Sequence, residues 1–154
     1  MTDITISNTT ADDIAPVQQI VDATGLFPPE LVPELLDPFL AGDTSELWHS
    51  ARIGEDLVGF CYTVPEMLAE GAWNIAAIAV DPSHQGSGIG KALLRDVEQG
   101  LRDRAQRLIL VDTSSTEDFA RTRDFYLKNG YEEEARIRDF WSGGDDKVMF
   151  RKAL

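Results

Sequence analysis

The chain has 154 residues, a length that typically forms one domain with its own core, so a single domain over residues 1–154 is expected. Its 14 Lys and Arg against 27 Asp and Glu give a formal charge of -13, which repels nucleic acid and anionic lipid. Nucleic acid is therefore excluded from the expected partners, and because the longest apolar run, Ile75–Val80, is far too short to cross a bilayer, no membrane span is predicted.

The N-terminal third contains alternating strand and helix signals. Ile4–Ser7 alternates apolar and polar residues as a half-buried strand does, and Thr10–Asp13 has the form of a capping box that opens a helix. Phe27–Gly42 has near-helical apolar spacing interrupted by prolines, which predicts one or two short helices. Two strands are then predicted, around Leu47–Ile53 and Leu57–Val64, joined by a tight turn.

The central part of the chain predicts a buried strand followed by a helix, and then the same pair again. Trp73–Val80 is a nearly continuous apolar run, which is typical of a strand in the middle of a sheet. Apolar residues at i, i+4 spacing from Ile89 predict an amphipathic helix. Leu108–Val111 predicts another buried strand, and Ser115–Asp118 a second capping box that opens a helix ending near Gly130.

Two last strands are predicted around Tyr131–Phe140 and Lys147–Ala153, on either side of a glycine-rich reversal. The order of elements is then strand, helices, three strands, helix, strand, helix and two strands. Such a mixture predicts an α/β (α+β) fold in which helices cover one mostly antiparallel sheet.

Cysteine, histidine and the N-terminus give expectations about chemistry and compartment. Cys61 is the only cysteine and lies in an apolar run, which predicts a buried thiol. A lone cysteine and two distant histidines, His49 and His84, show no metal-ligand spacing, so no metal is expected. Met1–Thr5 has neither the basic start nor the apolar stretch of a secretory signal, and a cytoplasmic location is expected.

A glycine-rich loop, Gln85–Gly90, joins the predicted mid-sheet strand to the amphipathic helix. Main-chain N–H groups and the dipole of a helix N-terminus attract anions, and glycines let a phosphate approach the main chain closely. The spacing does not fit a P-loop, which requires glycine where Gln85 stands and a hydroxyl where Ala92 stands. The loop also alternates as G-x-G-x-G, unlike the dinucleotide-binding G-x-G-x-x-G. A phosphorylated ligand is nevertheless predicted.

The loop fits Q/R-x-x-G-x-G/A and resembles the pyrophosphate loop of the GNAT superfamily of acetyl-CoA-dependent N-acetyltransferases. The resemblance extends to the order of elements over nearly the whole chain and to Phe125–Tyr131, which is similar to the family's F-Y-x-x-x-G-F/Y segment. It implies a GNAT-like mixed, mostly antiparallel sheet of about seven strands flanked by helices. It also implies an acyltransferase whose cofactor is acetyl-CoA (coenzyme A).

The resemblance implies two adjacent cofactor-binding segments. The main chain of Ile78, Ala79 and Val80 is expected to pair with the pantetheine arm, and an N–H group there to face the thioester oxygen. The residues expected to bind the pyrophosphate are Gln85, Gly86, Ser87, Gly88, Ile89 and Gly90, with Lys91 beside them. Because main-chain dipoles act locally while remote carboxylates are screened, an acidic protein can hold this polyanion.

Tyr126 matches the tyrosine that in many family members gives a proton to the departing thiolate, and it is the expected catalytic residue. A phenol with an ordinary pKa of about 10 can protonate a thiolate whose acid has a pKa of about 8.5. Two positions depart from other members of the family: Phe119 stands where many members have an asparagine that contacts the pantetheine arm, and Asn74 stands where some members have a glutamate base. The base is unassigned, with Glu66 and Glu70 as candidates for activating the amine.

The leading hypothesis is direct attack of a primary amine of a small molecule on the thioester. Specificity is expected to reside in Phe27–Gly42, Glu66–Ala72 and Phe140–Asp146. Four aromatic residues are candidates for either pocket walls or core: Trp48, Trp73, Phe140 and Trp141. Two alternatives stay open, a protein or peptide N-acetyltransferase and a non-catalytic acyl-CoA-binding sensor. Because GNAT proteins are often dimers, the resemblance also makes a homodimer an expectation.

Overall fold

A computed structural model describes residues 3–154; Met1 and Thr2, which belong to the N-terminal stretch considered above, lie outside it. Short 3-10 turns precede all four α-helices of this part of the chain. The elements are β1 (Ile4–Asn8), α1 (Ile14–Thr24), α2 (Val32–Ala41), β2 (Leu47–Ile53), β3 (Asp56–Pro65), β4 (Ala72–Val80), α3 (Ile89–Asp103), β5 (Leu108–Ser114), α4 (Ala120–Lys128), β6 (Glu132–Ser142) and β7 (Asp145–Ala153). None of these helices is long and apolar enough to span a membrane.

The strands form one seven-stranded sheet in the order β1-β2-β3-β4-β5-β7-β6. Every neighbouring pair is antiparallel except β4 and β5, which run parallel. The mixed, mostly antiparallel fold is therefore confirmed. The apolar run that predicted a mid-sheet strand is β4, the fourth strand of the seven.

The two parallel strands separate after only a few residues. Their pairing extends from Ala72 opposite Leu108 to Ile75 opposite Val111 and then stops. Both strands continue beyond that point, and β4 also carries a register shift around Ala76, where its pairing with β3 skips one residue. A bulge increases local twist and turns a strand away from its neighbour. The result is a gap between the carboxyl ends of β4 and β5, called the strand gap below.

Each face of the sheet has its own apolar core. On one side α3 and α4 cover the sheet through Leu93, Val97, Leu101 and Tyr126. On the other side α1 and α2 cover β2 to β4, with a core that includes Trp48. Because side chains alternate along a strand, each β4 and β5 residue can be assigned to the α3/α4 face or to the α1/α2 face.

One of the two predicted capping boxes is present and the other is wrong. Thr10 and Asp13 form the reciprocal pair at the start of the turn before α1. Ser115 does not cap a helix: its Oγ accepts a hydrogen bond from the Asp146 amide, 2.8 Å away, and the 3-10 turn before α4 begins after Thr116. The Ser115 hydroxyl, which the sequence pattern assigned to the start of a helix, is used instead in a contact with Asp146 of β7.

The last strand pair ends the sheet with an open edge. β6 pairs only with β7, and all of its residues are exposed. Its register is irregular near Glu133 and again between Ile137 and Ser142, where Asp139 has a positive φ of 55°. Exposure on both faces means that β6 contributes little to the core and is held mainly by its ladder to β7.

A partly buried histidine on β2, His49, predicts a pH-dependent stability. The His49 side chain is 12 % exposed, and burial lowers its pKa although Asp96, 3.7 Å away, acts in the opposite sense. The unfolded state binds a proton at His49 near pH 6.5, whereas the folded state binds it only at a lower pH. The contribution of His49 to the free energy of unfolding is therefore fully present above pH 6.5 and is lost as the pH falls below it. The free energy of unfolding is expected to fall by up to about 1.4 kcal/mol per pH unit from this group.

Urea unfolding of the wild type and of His49→Gln between pH 7.5 and 5.5 measures this contribution. The variant cannot titrate at this position, so its stability should change less over the interval. Parallel profiles for the two proteins would show that His49 contributes no such dependence.

Candidate active site

The glycine-rich loop presents a row of main-chain donors. Asp81 fixes the start of the loop by accepting hydrogen bonds from the Ser83 amide (2.9 Å) and hydroxyl (2.8 Å). The first intrahelical bond of α3 runs from Ala92 to the Gly88 carbonyl. The seven N–H groups from Gln85 to Lys91 have no acceptor within residues 3–154. Such a run at a helix N-terminus is an anion-binding arrangement, and it fits a pyrophosphate.

The loop glycines are needed for two different reasons. Gly86 and Gly88 both have a φ of 84°, which other residues rarely adopt, and a Cβ on either would point into open space. Gly90 lies in the first turn of α3, where an added Cβ would be 3.0 Å from Cζ of Phe125. The first two glycines therefore leave the donors accessible, and the third lets α4 pack closely against α3.

β4 presents two further N–H groups to the strand gap. Asp81 donates to the Val58 carbonyl of β3, and alternate residues of an antiparallel strand bond to the same neighbour. The N–H groups of Ile78 and Val80 therefore point to the opposite edge, where pairing with β5 has already stopped at Ile75. Ala79 has its N–H directed at β3 instead. Of the three predicted residues, Ile78 and Val80 supply the free donors.

Tyr126 lies on α4 with its ring in the α3/α4 core, 3 % exposed and packed at 5.5 Å from the Phe150 ring. Burial, and to a smaller extent the nearby Cys61, raises the pKa of Tyr126. Cys61 pairs with Ile78, and both pack in the same core as Tyr126, so Tyr126 lies on the α3/α4 face of the sheet. Its hydroxyl makes no hydrogen bond within residues 3–154. Because its pKa is raised, the hydroxyl stays protonated and can donate to a ligand.

The neighbouring Cys61 thiol is inert, as its predicted burial implies. It is fully buried, and burial raises its pKa to about 12. A thiol that stays protonated is a poor nucleophile. No group of three or more His, Cys, Asp or Glu among residues 3–154 is arranged to hold a metal ion.

Only one of the two candidate glutamates reaches the β4–β5 region. The side chain of Asn74, on the α1/α2 face, donates to Oε1 of Glu66 at 3.1 Å. Glu70 lies farther along the loop, where its carbonyl accepts from the Arg107 guanidinium at the start of β5. The structure thus brings Asn74 and Glu66 together and leaves Glu70 apart.

Two charged residues that the sequence interpretation did not single out join this cluster. Asn74 Nδ2 also lies 3.4 Å from Oδ2 of Asp112, and the Lys147 ammonium lies 3.5 Å from the same oxygen. Asp112 follows the last residue of β5 that pairs with β4. A polar residue at the carboxyl end of a buried strand is the sequence signal that marks it, because ligands often bind at that end of parallel strands.

The four candidate aromatic residues divide into two groups. Trp48 and Trp73 are core residues, 0 % and 5 % exposed. Phe140 and Trp141 are about half-exposed and form an edge-to-face pair with ring centroids 4.7 Å apart. The Trp141 indole donates to the Thr113 carbonyl near the end of β5, and the Lys147 ammonium lies 4.5 Å from the centre of the Phe140 ring. Only this second pair can line a substrate site.

A small basic cavity lies beside the loop, between α3, the end of α4 and β7. Its volume is about 120 Å³. It is lined by Lys91, Leu94, Arg95, Glu98, Lys128, Asn129 and Lys152. Lys152 is neutralised by Glu98, 2.9 Å away, which leaves a net positive charge in an otherwise acidic protein. Such a cavity suits a phosphate group.

Comparison with known proteins places this geometry in a family. The acetyltransferase (GNAT) domain model matches residues 44–133, more than half of the chain. A GNAT-family protein from Desulfovibrio desulfuricans is 30% identical, with a TM-score of 0.91, and the match covers 98% of this chain and 99% of that one. No curated protein sequence matches the chain.

More distant solved structures share the fold. A ribosomal-protein-S18-alanine N-acetyltransferase from Escherichia coli is 19% identical with a TM-score of 0.78, over 99% of this chain and 94% of that one. An aminoglycoside 6'-N-acetyltransferase, solved with coenzyme A, is 18% identical with a TM-score of 0.78, over 97% and 96%. These two structures show likeness of fold alone. Membership of the family is shown by the domain model and by the Desulfovibrio desulfuricans protein. The chain belongs to the GNAT family of acetyltransferases and is an acyltransferase.

Proposed function

We propose that the chain transfers the acetyl group of acetyl-CoA to a primary amine of a small molecule by direct attack of the amine. The observation that carries the proposal is the set of free donors around one opening: the amides of Gln85–Lys91 at its mouth, those of Ile78 and Val80 along its edge, and the Tyr126 hydroxyl on one side. These groups have no acceptor in the described chain, so each is free to donate to a different part of one bound ligand.

The diphosphate end of coenzyme A fits the loop and the basic cavity. The amides of Gln85–Lys91 supply hydrogen bonds to the pyrophosphate without requiring cationic side chains. Lys91 and Arg95 line the adjacent cavity, where they suit a further phosphate. This proposal therefore assigns a coenzyme A thioester as the cofactor. The solved aminoglycoside 6'-N-acetyltransferase, which shares the fold, is a complex with coenzyme A.

The chain's own residues then activate and stabilise the reacting group. Bound acetyl-CoA supplies an electrophilic acyl carbon and a thiolate leaving group. The N–H groups of Ile78 and Val80 are placed to donate to the thioester oxygen, where negative charge develops. Tyr126, kept protonated by burial, donates to the sulfur as the C–S bond breaks.

A compact acceptor is favoured by the aromatic turn beside the gap. Trp141 is tied to the Thr113 carbonyl, and Phe140 packs on Lys147, so the turn between β6 and β7 lies across the end of β5. An extended peptide needs a continuous open groove past this point. The neighbouring solved structures include enzymes for both acceptor classes, an aminoglycoside and a ribosomal protein, and so do not decide between them.

Thiol release from acetyl-CoA, measured against a panel of amines, tests the proposal. The panel covers amino acids, polyamines, aminoglycosides, arylamines and short peptides, and a reaction without amine gives the hydrolysis background. We expect amine-dependent release with at least one small molecule and a weaker response to peptides. Calorimetric titration with coenzyme A is run in parallel, because it tests the loop independently of the acceptor.

Each outcome assigns a different function. Release that is strongest with peptides would indicate a protein acetyltransferase. Coenzyme A binding without amine-dependent release would support the acyl-CoA sensor. Failure to bind coenzyme A would contradict the assignment of Gln85–Lys91.

A further inference from the structure

The carboxylate of Asp112 occupies the point where β4 and β5 separate. Val111 is the last β5 residue that pairs with β4 and faces the α3/α4 core, so Asp112 faces the α1/α2 side of the strand gap. The opposite side carries Tyr126. A ligand whose reacting carbon lies in the gap would therefore have the phenol on one side and this carboxylate on the other.

The two oxygens of Asp112 are used unequally. Asn74 Nδ2 and Lys147 Nζ both approach Oδ2, at 3.4 and 3.5 Å. Oδ1 is buried and has no hydrogen-bond partner within residues 3–154. A buried carboxylate oxygen without a donor is costly, and such exceptions in folded proteins call for an explanation, often a functional one. The explanation supported here is a donor that arrives with the substrate.

The Asp112 side chain is 16 % exposed, whereas its Oδ1 atom is buried. A donor on the substrate therefore reaches Oδ1 only after the side chain turns about its Cα–Cβ bond toward the strand gap. The charged groups in contact with it are Lys147 on β7 and, through Asn74, Glu66 at the end of β3. Two carboxylates and one ammonium leave a net negative charge, which attracts a cation.

We propose that Asp112 binds the ammonium group of the acceptor at Oδ1 and accepts its proton, so that the substrate class is amines that are protonated at neutral pH. This inference rests on the proposed function. Asn74 cannot take up a proton, but by donating to Oδ2 it holds the carboxylate in place. Asn74 is thus a positioning residue, and Asp112 is the base that the sequence left unassigned.

The transfer balances with these two residues. The acceptor ammonium gives one proton to Asp112, and the freed electron pair forms the N–C bond to the acyl carbon. The C–S bond breaks with its electron pair on sulfur, which takes the proton of Tyr126. The second nitrogen proton restores Tyr126 through solvent, and Asp112 returns its proton to water. One amide, one thiol and one released proton result from one ammonium and one thioester.

The test compares two amines of matched size, ethylamine and 2,2,2-trifluoroethylamine, at pH 7. Ethylamine is protonated at this pH and needs a base, whereas the fluorinated amine is already neutral. Asp112→Asn is expected to lower kcat/KM for ethylamine about 10- to 30-fold and to change it less than 3-fold for trifluoroethylamine, a smaller factor than the usual 10²- to 10⁴-fold contribution of a general base because solvent can also take the proton. Raising the pH to 9 should narrow the difference for ethylamine, because more of it is then neutral.

Two further variants separate this role from a structural one. Asp103→Asn removes an equal charge from an exposed position at the end of α3 and should leave both rates unchanged. The double variant Asp112→Asn with Lys147→Gln removes both partners of the ion pair and should stay as slow as Asp112→Asn alone. Recovery in the double variant would show that Asp112 serves only to neutralise Lys147, and would overturn the inference.

The remaining outcomes are also decisive. Equal losses for the two amines, or no loss for either, would overturn the role of Asp112 while leaving the proposed function intact. The ratio of kcat/KM between the wild type and Asp112→Asn is also measured with the best amine of the panel. The small size of the two probe amines then does not decide the result. If none of the amines increases thiol release by the wild type above the hydrolysis background, the proposed function is contradicted instead.

Discussion

The Tyr126→Phe variant is expected to turn over about 100-fold more slowly than the wild type while binding coenzyme A with unchanged affinity. General acid catalysis by a positioned side chain typically contributes 10²- to 10⁴-fold, and about 100-fold corresponds to roughly 2.7 kcal/mol of activation free energy. The Tyr126 ring stays in place in the variant because its packing against Phe150 needs no hydroxyl. Thiol-release kinetics and calorimetric titration with coenzyme A measure the two quantities.

Stability gives this prediction a second readout. The Tyr126 hydroxyl makes no hydrogen bond within residues 3–154, so its removal should leave the melting temperature unchanged or slightly raised. Tyr62→Phe is the matched control, because the Tyr62 hydroxyl donates to Glu46 at 2.7 Å and lies outside the proposed site. This control should keep its turnover. An active Tyr126→Phe enzyme would show that the thiolate takes its proton from water or from another residue.

The second large effect is expected from Gly88→Val, which should weaken coenzyme A binding about 100-fold, or roughly 3 kcal/mol. Gly88 caps α3 with a φ of 84°, and holding a β-branched residue there costs of order 1–3 kcal/mol. The ligand-free loop can relax away from this conformation, so binding has to restore it. The new side chain would also enter the open space in front of the loop amides, where the pyrophosphate is proposed to lie.

Gly144→Val separates backbone strain from the loss of the anion site. Gly144 has a φ of 82° in the turn between β6 and β7, and a Cβ there also meets nothing. Both variants should lose similar stability in a thermal melt, but only Gly88→Val should lose affinity in the titration. Equal affinity for the two variants would place the pyrophosphate elsewhere.

The sequence was sufficient for the order of elements and for the conformation of the glycine-rich loop, because both depend on local pattern. The apolar spacing from Ile89 predicted α3, and the glycines predicted a free row of amides at its start. The predicted burial of Cys61 is confirmed, as are the short helical pieces between Phe27 and Gly42. In each case the deciding interactions lie within a few residues along the chain.

The proposed acceptor side of the site was not predictable in the same way. Asn74, Asp112 and Lys147 come from three strands, and only their register brings the three side chains to one oxygen. The bulge near Ala76, which helps to open the gap, has no signal in an apolar run. Ser115 likewise had a helix-start pattern, but a long-range contact with Asp146 took its hydroxyl.

The open edge strand β6 also limits how this protein can assemble. An unpaired strand normally invites another copy to extend the sheet, and proteins oppose this with charges and irregular register. β6 has both: three consecutive glutamates, Glu132 to Glu134, near its start and a break in pairing between Ile137 and Ser142. If the β6 strands of two copies were paired antiparallel, the irregular segment would leave some main-chain N–H and C=O groups of each strand without a hydrogen-bond partner. Concentrated solutions should therefore resist growth into fibrils through this edge, and a dimer that extends the sheet would have to form through the other edge, β1.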